Sequence, residues 1–355
     1  MNACALFEDA LGGGAGAEVV RMPPRRVLHF HSPLQERGLC DGVALHFGVP
    51  WGDDPVGAAE EEEDAGECGE LQPRRAYLRA QQLARPGELQ ALHRVRTLEI
   101  LRTELVNRRG EPRYGEVNDR RVIYISPQLD CAGTPELVRQ TARLCKLLLA
   151  WTHWQIRLVS QSALLPQLAE MLCDEVGLDG PWPVSETDLR ERLIWGLSLS
   201  GIDDDLAAAS GESAPPVAQR LASLHWLQGR GYRTCALLGP VLPQRDYAAF
   251  AQAVSASLHA QRCECLWAEV PVPRREVLRP LAQRLGRAGY AWKAEAVREI
   301  SVDPAAWETY ARKTFLALAE ALPAPPGRLR FPVPVTEGTR GWWEGQRERG
   351  AVVLG

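Results

Sequence analysis

The sequence predicts an α/β protein whose parallel sheet curls into an incomplete (β/α)6-type barrel. Three observations predict this. Between residues 121 and 272, apolar strand-like runs recur about every 30 to 40 residues with a helical pattern between them, the spacing of right-handed βαβ crossovers. The runs are near-continuous in apolar residues, as in strands covered on both faces. Five or six such units stand in one series, which favours a closed or partly closed barrel over the alternative, a doubly wound open sheet.

Residues 1–25, rich in Gly, Ala and Pro, predict a poorly ordered start. The barrel is expected over 26–330, beginning with alternating strands at "RVLHFHS" (26–32) and "VALHFG" (43–48). An acidic stretch at 53–70 reads as a solvated loop. A helical insert over 74–109 is broken at "RPG" (85–87), because Pro86 and Gly87 interrupt the repeat. "RVIYIS" (121–126) is a β-branched strand. In the next helix Thr134 is the expected N-cap, Pro135 the first helical residue, and Leu137, Val138, Thr141, Leu144, Cys145 and Leu148 share a face. Further strands are expected at 154–160, 192–200, 232–243 and 262–272, each with a helix after it. Residues 331–355 read as a tail docking on the barrel. Its Trp342 and Trp343, with nearby basic side chains, suit either packing or stacking on unpaired bases.

Bulk properties exclude several classes. The chain has 355 residues, 45% hydrophobic, with a net charge of −4, so no global field draws it to nucleic acid or an anionic membrane. No apolar stretch approaches the roughly 20 residues of a membrane span. The first residues carry acid where a signal peptide carries base. Nine cysteines at irregular spacing argue against a disulfide framework, and a cytoplasmic location is expected.

In a parallel barrel, ligands bind at the C-terminal strand ends. Those ends carry Ser126, Pro127 and Asp130; Ser160, Gln161 and Ser162; Ser198 and Ser200; Gly239, Pro240 and Pro243; and Glu269. Hydroxyls, an amide and few charges suit a ligand held by neutral hydrogen bonds. Asp203, Asp204 and Asp205 are expected to cap the next helix. Cys263 and Cys265, two apart, are expected on one strand face, where packing outweighs metal binding. His29, His31 and His46 form a conceivable three-imidazole metal set.

With these strands placed, residues 121–272 resemble the radical S-adenosylmethionine superfamily, in particular its spore photoproduct lyase-like (DNA repair photolyase-like) branch. The resemblance rests on "LSLSGIDDDLAAASGESAPPVAQRLASLHWLQGRGYRTCALLGPVLP". It matches a strand ending Ser-x-Ser (Ser198, Ser200), an aspartate-rich turn (203–205), a proline loop (Ala214, Pro215), an Arg-Leu helix (Arg220, Leu221) and a strand ending Pro-x-x-Pro (Pro240, Pro243). "IRLVSQSALL" is similar to the preceding strand of that branch, where Thr-Lys-Ser is common. The resemblance implies a radical SAM barrel and S-adenosylmethionine as cofactor, with Ser126, Ser160, Gln161, Ser198, Ser200, Arg220 and Pro240 around it. It also implies a [4Fe–4S] cluster held by Cys-x3-Cys-x2-Cys.

Three departures set this chain apart from the branch. The three-cysteine spacing is absent, leaving Cys40 as the single thiol near the expected place and the only metal-ligand candidate that the resemblance offers. Gln161 stands where the branch has lysine, and Gly211-Glu212 where it has Glu-Pro. The leading expectation is therefore a radical-SAM-fold protein that binds S-adenosylmethionine or a nucleic acid, with its cluster lost or supplied unusually. The alternatives are a non-enzymatic pseudoenzyme barrel serving as a binding or scaffold partner of protein or nucleic acid, and a cluster-free metal-dependent barrel enzyme using the early histidines.

Overall fold

The computed structural model describes residues 28–29, 42–45, 49–50, 102, 105–119, 122–125, 129–174, 180–210, 214–322 and 328–354. The main sheet contains β1 (Leu28–His29), β2 (Gly42–Leu45), β4 (Val122–Ile125), β6 (Gln155–Ser160), β7 (Leu193–Leu199), β8 (Arg233–Leu238), β9 (Cys263–Ala268), β10 (Leu329–Pro334) and β11 (Ala351–Leu354). They pair in that order, and β3 (Val49–Pro50) with β5 (Leu129–Asp130) forms a separate ribbon. Among the described residues, only the β1–β2 pairing in the main sheet is antiparallel; from β2 to β11 every pairing is parallel.

This order decides between a curled barrel and a doubly wound sheet. A doubly wound sheet reverses its strand order at a switch point. Here the order never reverses, so each crossover steps the same way and the sheet curls. Among the described strands β1 and β11 remain edges, which leaves the barrel incomplete.

The helices arise from local sequence. Helix α1 (Pro135–Trp151) begins at Thr134, whose hydroxyl accepts from the Leu137 amide at 3.2 Å, and Pro135 occupies the first turn, where its missing N–H costs nothing. Between β6 and β7 come α2 (Leu165–Asp174) and α3 (Glu186–Arg192), the latter opened by a Ser185/Asp188 capping box. Between β7 and β8 come α4 (Asp204–Ala209) and α5 (Val217–Gly229); α6 (Tyr247–Ser257) comes after β8. Helices α7 (Arg275–Arg287), α8 (Ala291–Val302) and α9 (Pro304–Ala321) join β9 to β10, and α10 (Glu337–Glu344) joins β10 to β11.

Strand residues of one parity carry the core. Ile156 and Leu158, Trp195 and Leu197, Ala236 and Leu238, Leu266 and Ala268 all pack into the helix layer. The other parity faces the concave side, where the apolar cluster is small: Leu237 with Val159 and Trp267. Accordingly β6 alternates in burial, with Gln155, Arg157 and Val159 half-buried. The near-continuous apolar runs of the sequence thus hide a sheet with one thickly covered face and one thinly covered, polar-bearing face.

Residues 331–355 contribute most of β10 and all of α10 and β11. Trp343 is fully buried, stacked on Phe331 at 5.9 Å and edge-on to Phe315, with its indole N–H donating to Glu308 at 2.9 Å. Arg312 lies 4.4 Å from the Trp342 ring. This geometry commits the tryptophan pair to the join between α9 and the sheet.

Candidate functional site

Because β4 to β10 run parallel, their C-terminal ends share one rim. At the end of β6, Ser160 is fully buried and donates to one Asp130 oxygen at 2.6 Å; the Ala132 amide donates to the same oxygen at 2.9 Å. The Gln161 amide donates to the other carboxylate oxygen at 3.1 Å, and Ser160 accepts from the Ser162 amide at 2.9 Å. Burial pushes the Asp130 carboxyl above the usual carboxylate range, and these three hydrogen bonds to it oppose the rise. Ser160 shares the parity of Ile156 and Leu158, on the helix side of the sheet, so its hydroxyl locks the β5–β6 join. Replacing Asp130 with Ala strands two buried donors, Ser160 and the Ala132 amide, and the part-buried Gln161 amide. We expect a loss of about 3 kcal/mol or more in unfolding free energy; an unchanged denaturation midpoint would show that the network contributes nothing.

Ser198 is 1% exposed and falls in phase with Gly196, on the concave face. That direction is fixed by Gly196, whose added Cβ would meet Val159 and the Cys235 sulfur. Arg220, also 1% exposed, reaches from α5 to donate to the Ser198 carbonyl at 3.2 Å. Ser200 lies just beyond β7 and lines a cleft of about 310 Å³ with Asp203, Ser210, Gln244, Asp246 and Lys293. Lys293 donates to the Pro243 carbonyl at 3.0 Å and to Gln244 at 3.2 Å. Burial lowers its pKa, while Asp203 opposes the shift.

The aspartate burst after β7 works as capping. Asp203 accepts from the Leu206 amide at 3.0 Å and opens α4, and Asp204 accepts from Val217 at 2.6 Å, tying α4 to the start of α5. Pro240 is buried beyond β8, preceded by Gly239, whose amide donates to Leu199 at 2.8 Å.

Glu269 carries no sequence signal beyond its place after an apolar strand, yet it is the most unusual residue of the rim. Its amide donates to Leu238 at 2.9 Å, which continues the β8–β9 ladder and puts Glu269 in phase with concave Trp267. The side chain is 3% exposed, and neither carboxyl oxygen has a hydrogen-bond partner among the described residues. Burial pushes its pKa well above the ordinary value, because the charged form loses its hydration there. A buried polar group with no partner costs free energy unless something else satisfies it.

Ser126, Cys40, His31 and His46 lie outside the described residues, as does the side chain of His29. Among the described residues, no three His, Cys, Asp or Glu side chains lie together as a metal set, so the described cysteines do not fit the three-thiolate ligation of a cluster. The expectation for Cys263 and Cys265 needs correction. The pairing with β8 jumps from Thr234↔Cys263 to Cys235↔Cys265, leaving Glu264 as the extra residue of a bulge. Cys263 consequently faces the helix layer, within 3.4 Å of Gln228, while Cys265 faces Cys235.

The architecture defines a class of protein: an α/β chain with a curled, incomplete parallel barrel and a polar C-terminal rim. Two solved structures of spore photoproduct lyase, one a point mutant and one complexed with dinucleoside spore photoproduct, align with it at TM-score 0.33 and 14% identity. Each alignment covers 48% of this chain and 47% of the other, so the chain spans about half the length of the structures it matches. No protein-family model and no curated protein matches the sequence. Among the described residues, no helix is long and apolar enough to cross a membrane.

Proposed function

We propose that this chain binds S-adenosylmethionine at the rim of its half-barrel and does not cleave it reductively. The observation that carries the reading is Glu269, a buried carboxyl at the C-terminal edge of the parallel sheet with neither oxygen partnered among the described residues. Ser198 on β7, Ser200 just beyond it, Gln161 beyond β6 and Pro240 beyond β8 would supply neutral hydrogen-bonding and shape at the same rim, with Arg220 holding the Ser198 carbonyl. The sequence resemblance selects the cofactor: bound there, S-adenosylmethionine would bring a sulfonium and an ammonium, both cationic. A cation next to Glu269 favours its ionised form, so binding expels a proton from the carboxyl.

Calorimetric titration tests this. Binding is expected with release of a proton, read from the dependence of the heat on buffer ionisation, and this release is expected to vanish in Glu269→Gln. Ser198→Ala and Ser200→Ala are each expected to weaken binding about fivefold, the worth of one hydrogen bond near 1 kcal/mol. The absence of any binding heat overturns the proposal.

Loss of reductive cleavage is tested separately. The sequence contains no Cys-x3-Cys-x2-Cys to hold a cluster with an open iron. Anaerobic incubation of reconstituted protein with dithionite and S-adenosylmethionine is therefore expected to yield no 5′-deoxyadenosine above the no-protein control. Product that disappears in Cys40→Ala would show that Cys40 helps to hold a cluster.

A further inference from the structure

We propose that Cys235 and Cys265 form a redox-active dithiol on the concave face, which peroxide converts to an intramolecular disulfide. The pair is built by the β8–β9 bulge, which sets the two residues directly opposite each other on neighbouring strands. Strands in a sheet lie about 4.8 Å apart. That spacing falls inside the roughly 4.4 to 6.8 Å Cα separation that a disulfide spans. The two thiols lie close enough for each to shift the other's titration, with the Arg157 guanidinium from β6 close enough to act on both.

Space for the pair comes from Gly196. A Cβ there would stand 3.0 Å from the Cys235 sulfur and 2.8 Å from the Leu158 carbonyl. Cys235 is buried and Cys265 half-buried, so Cys265 is the member that a small oxidant reaches.

The electrostatics divide the roles the same way. The Cys235 thiol beside it holds the Cys265 thiol below the ordinary range, Arg157 adds to this, and desolvation opposes it. Cys235 is raised by the neighbouring Cys265 and by burial. Burial also raises Cys131, Cys145 and Cys263, Cys263 to about 11. A thiolate is the nucleophile, so Cys265 is the attacking group.

The chemistry balances with one peroxide. The Cys265 thiolate attacks the O–O bond, forming a sulfenic acid and releasing hydroxide, which takes up a proton to become water. The Cys235 thiol then attacks the sulfenic sulfur, the S–O bond breaks, and a second water leaves as the disulfide forms. Two thiols are oxidised by two electrons and one hydrogen peroxide is reduced to two waters. No third His, Cys, Asp or Glu among the described residues completes a metal site with the pair, which favours this chemistry over metal capture.

The test exposes the full chain to hydrogen peroxide, alkylates the remaining thiols and maps them by mass spectrometry. The expected product is a cross-link between the peptides carrying Cys235 and Cys265, with Cys145 and Cys263 still alkylated. If both thiols stay free, or if Cys265 pairs elsewhere, the proposal is overturned. Cys235→Ser is expected to accumulate a Cys265 sulfenic acid that dimedone traps, and no trapping overturns the assigned order of attack. A measurement on the unaltered chain removes dependence on how variants fold. Iodoacetamide is expected to label Cys265 before the other described cysteines, with a pH midpoint below that of an ordinary thiol. Labelling of Cys265 no faster than Cys263 overturns the proposal.

Discussion

Arg192→Met is expected to lower the free energy of unfolding by about 3 to 5 kcal/mol. Arg192 is 6% exposed at the end of α3, and its guanidinium fans across three main-chain carbonyls: Trp154 at 3.1 Å, Leu149 at 3.2 Å and Thr152 at 2.5 Å. These belong to the C-terminal end of α1 and the lead into β6, where helix carbonyls lack intrahelical partners. One planar cation therefore ties α1, α3 and the start of two strands together. Methionine keeps much of the apolar stem, so the measured loss belongs to the head group. Lysine carries a single ammonium that cannot span the fan, and Arg192→Lys is expected to recover only part of the loss. Urea denaturation checks both variants; a change under about 1 kcal/mol for Arg192→Met would mean that water satisfies these carbonyls equally well.

The same region shows what the sequence makes legible. β4 and β6 to β9 are apparent as apolar runs between caps, glycines and prolines, and each is observed within a few residues of the expected span. The last two strands of the sheet are not. "LRFPVP" carries Pro332 and Pro334, which argue against a strand because proline has no amide to donate. The structure accommodates them because β10 pairs with β9 only through Leu329 and Arg330; the prolines fall where β11 is the partner.

Site geometry was less legible, for reasons of the same kind. A hydroxyl at Ser160 is visible in sequence, but its partner Asp130 sits thirty residues earlier, so engagement on the helix side cannot be read from periodicity. The spacing of Cys263 and Cys265 implies a shared face, and a single bulge at Glu264 reverses that. Glu269 ends an apolar strand as many surface acids do; its isolation emerges only when Val241, Leu238 and the loop after β8 close around its main chain.

Glu269 also sets the second large effect, a change in how stability depends on pH. Its folded-state pKa lies well above the ordinary 4.5 because burial disfavours the charged form. Between those two values the unfolded chain has lost the proton and the folded chain keeps it. The unfolded state binds fewer protons there, so stability falls as pH rises, by up to about 1.4 kcal/mol for each pH unit inside the window. Below 4.5 both states are protonated and the penalty is gone. Glu269→Gln places a neutral group of the same shape at this position and removes the proton linkage. The variant is therefore expected to match the parent near the acid end of the window and to become progressively more stable than it towards neutral pH. Urea midpoints for both chains across that range give the difference directly, with all other titrating groups cancelling. Parallel curves would mean that Glu269 is ionised in the folded state and satisfied by a partner, and the reading of the rim as a ligand site would lose its carrying observation. Diverging curves that converge again when S-adenosylmethionine is added would locate the ligand at this carboxyl, because a bound cation restores the ionised form that the empty fold penalises.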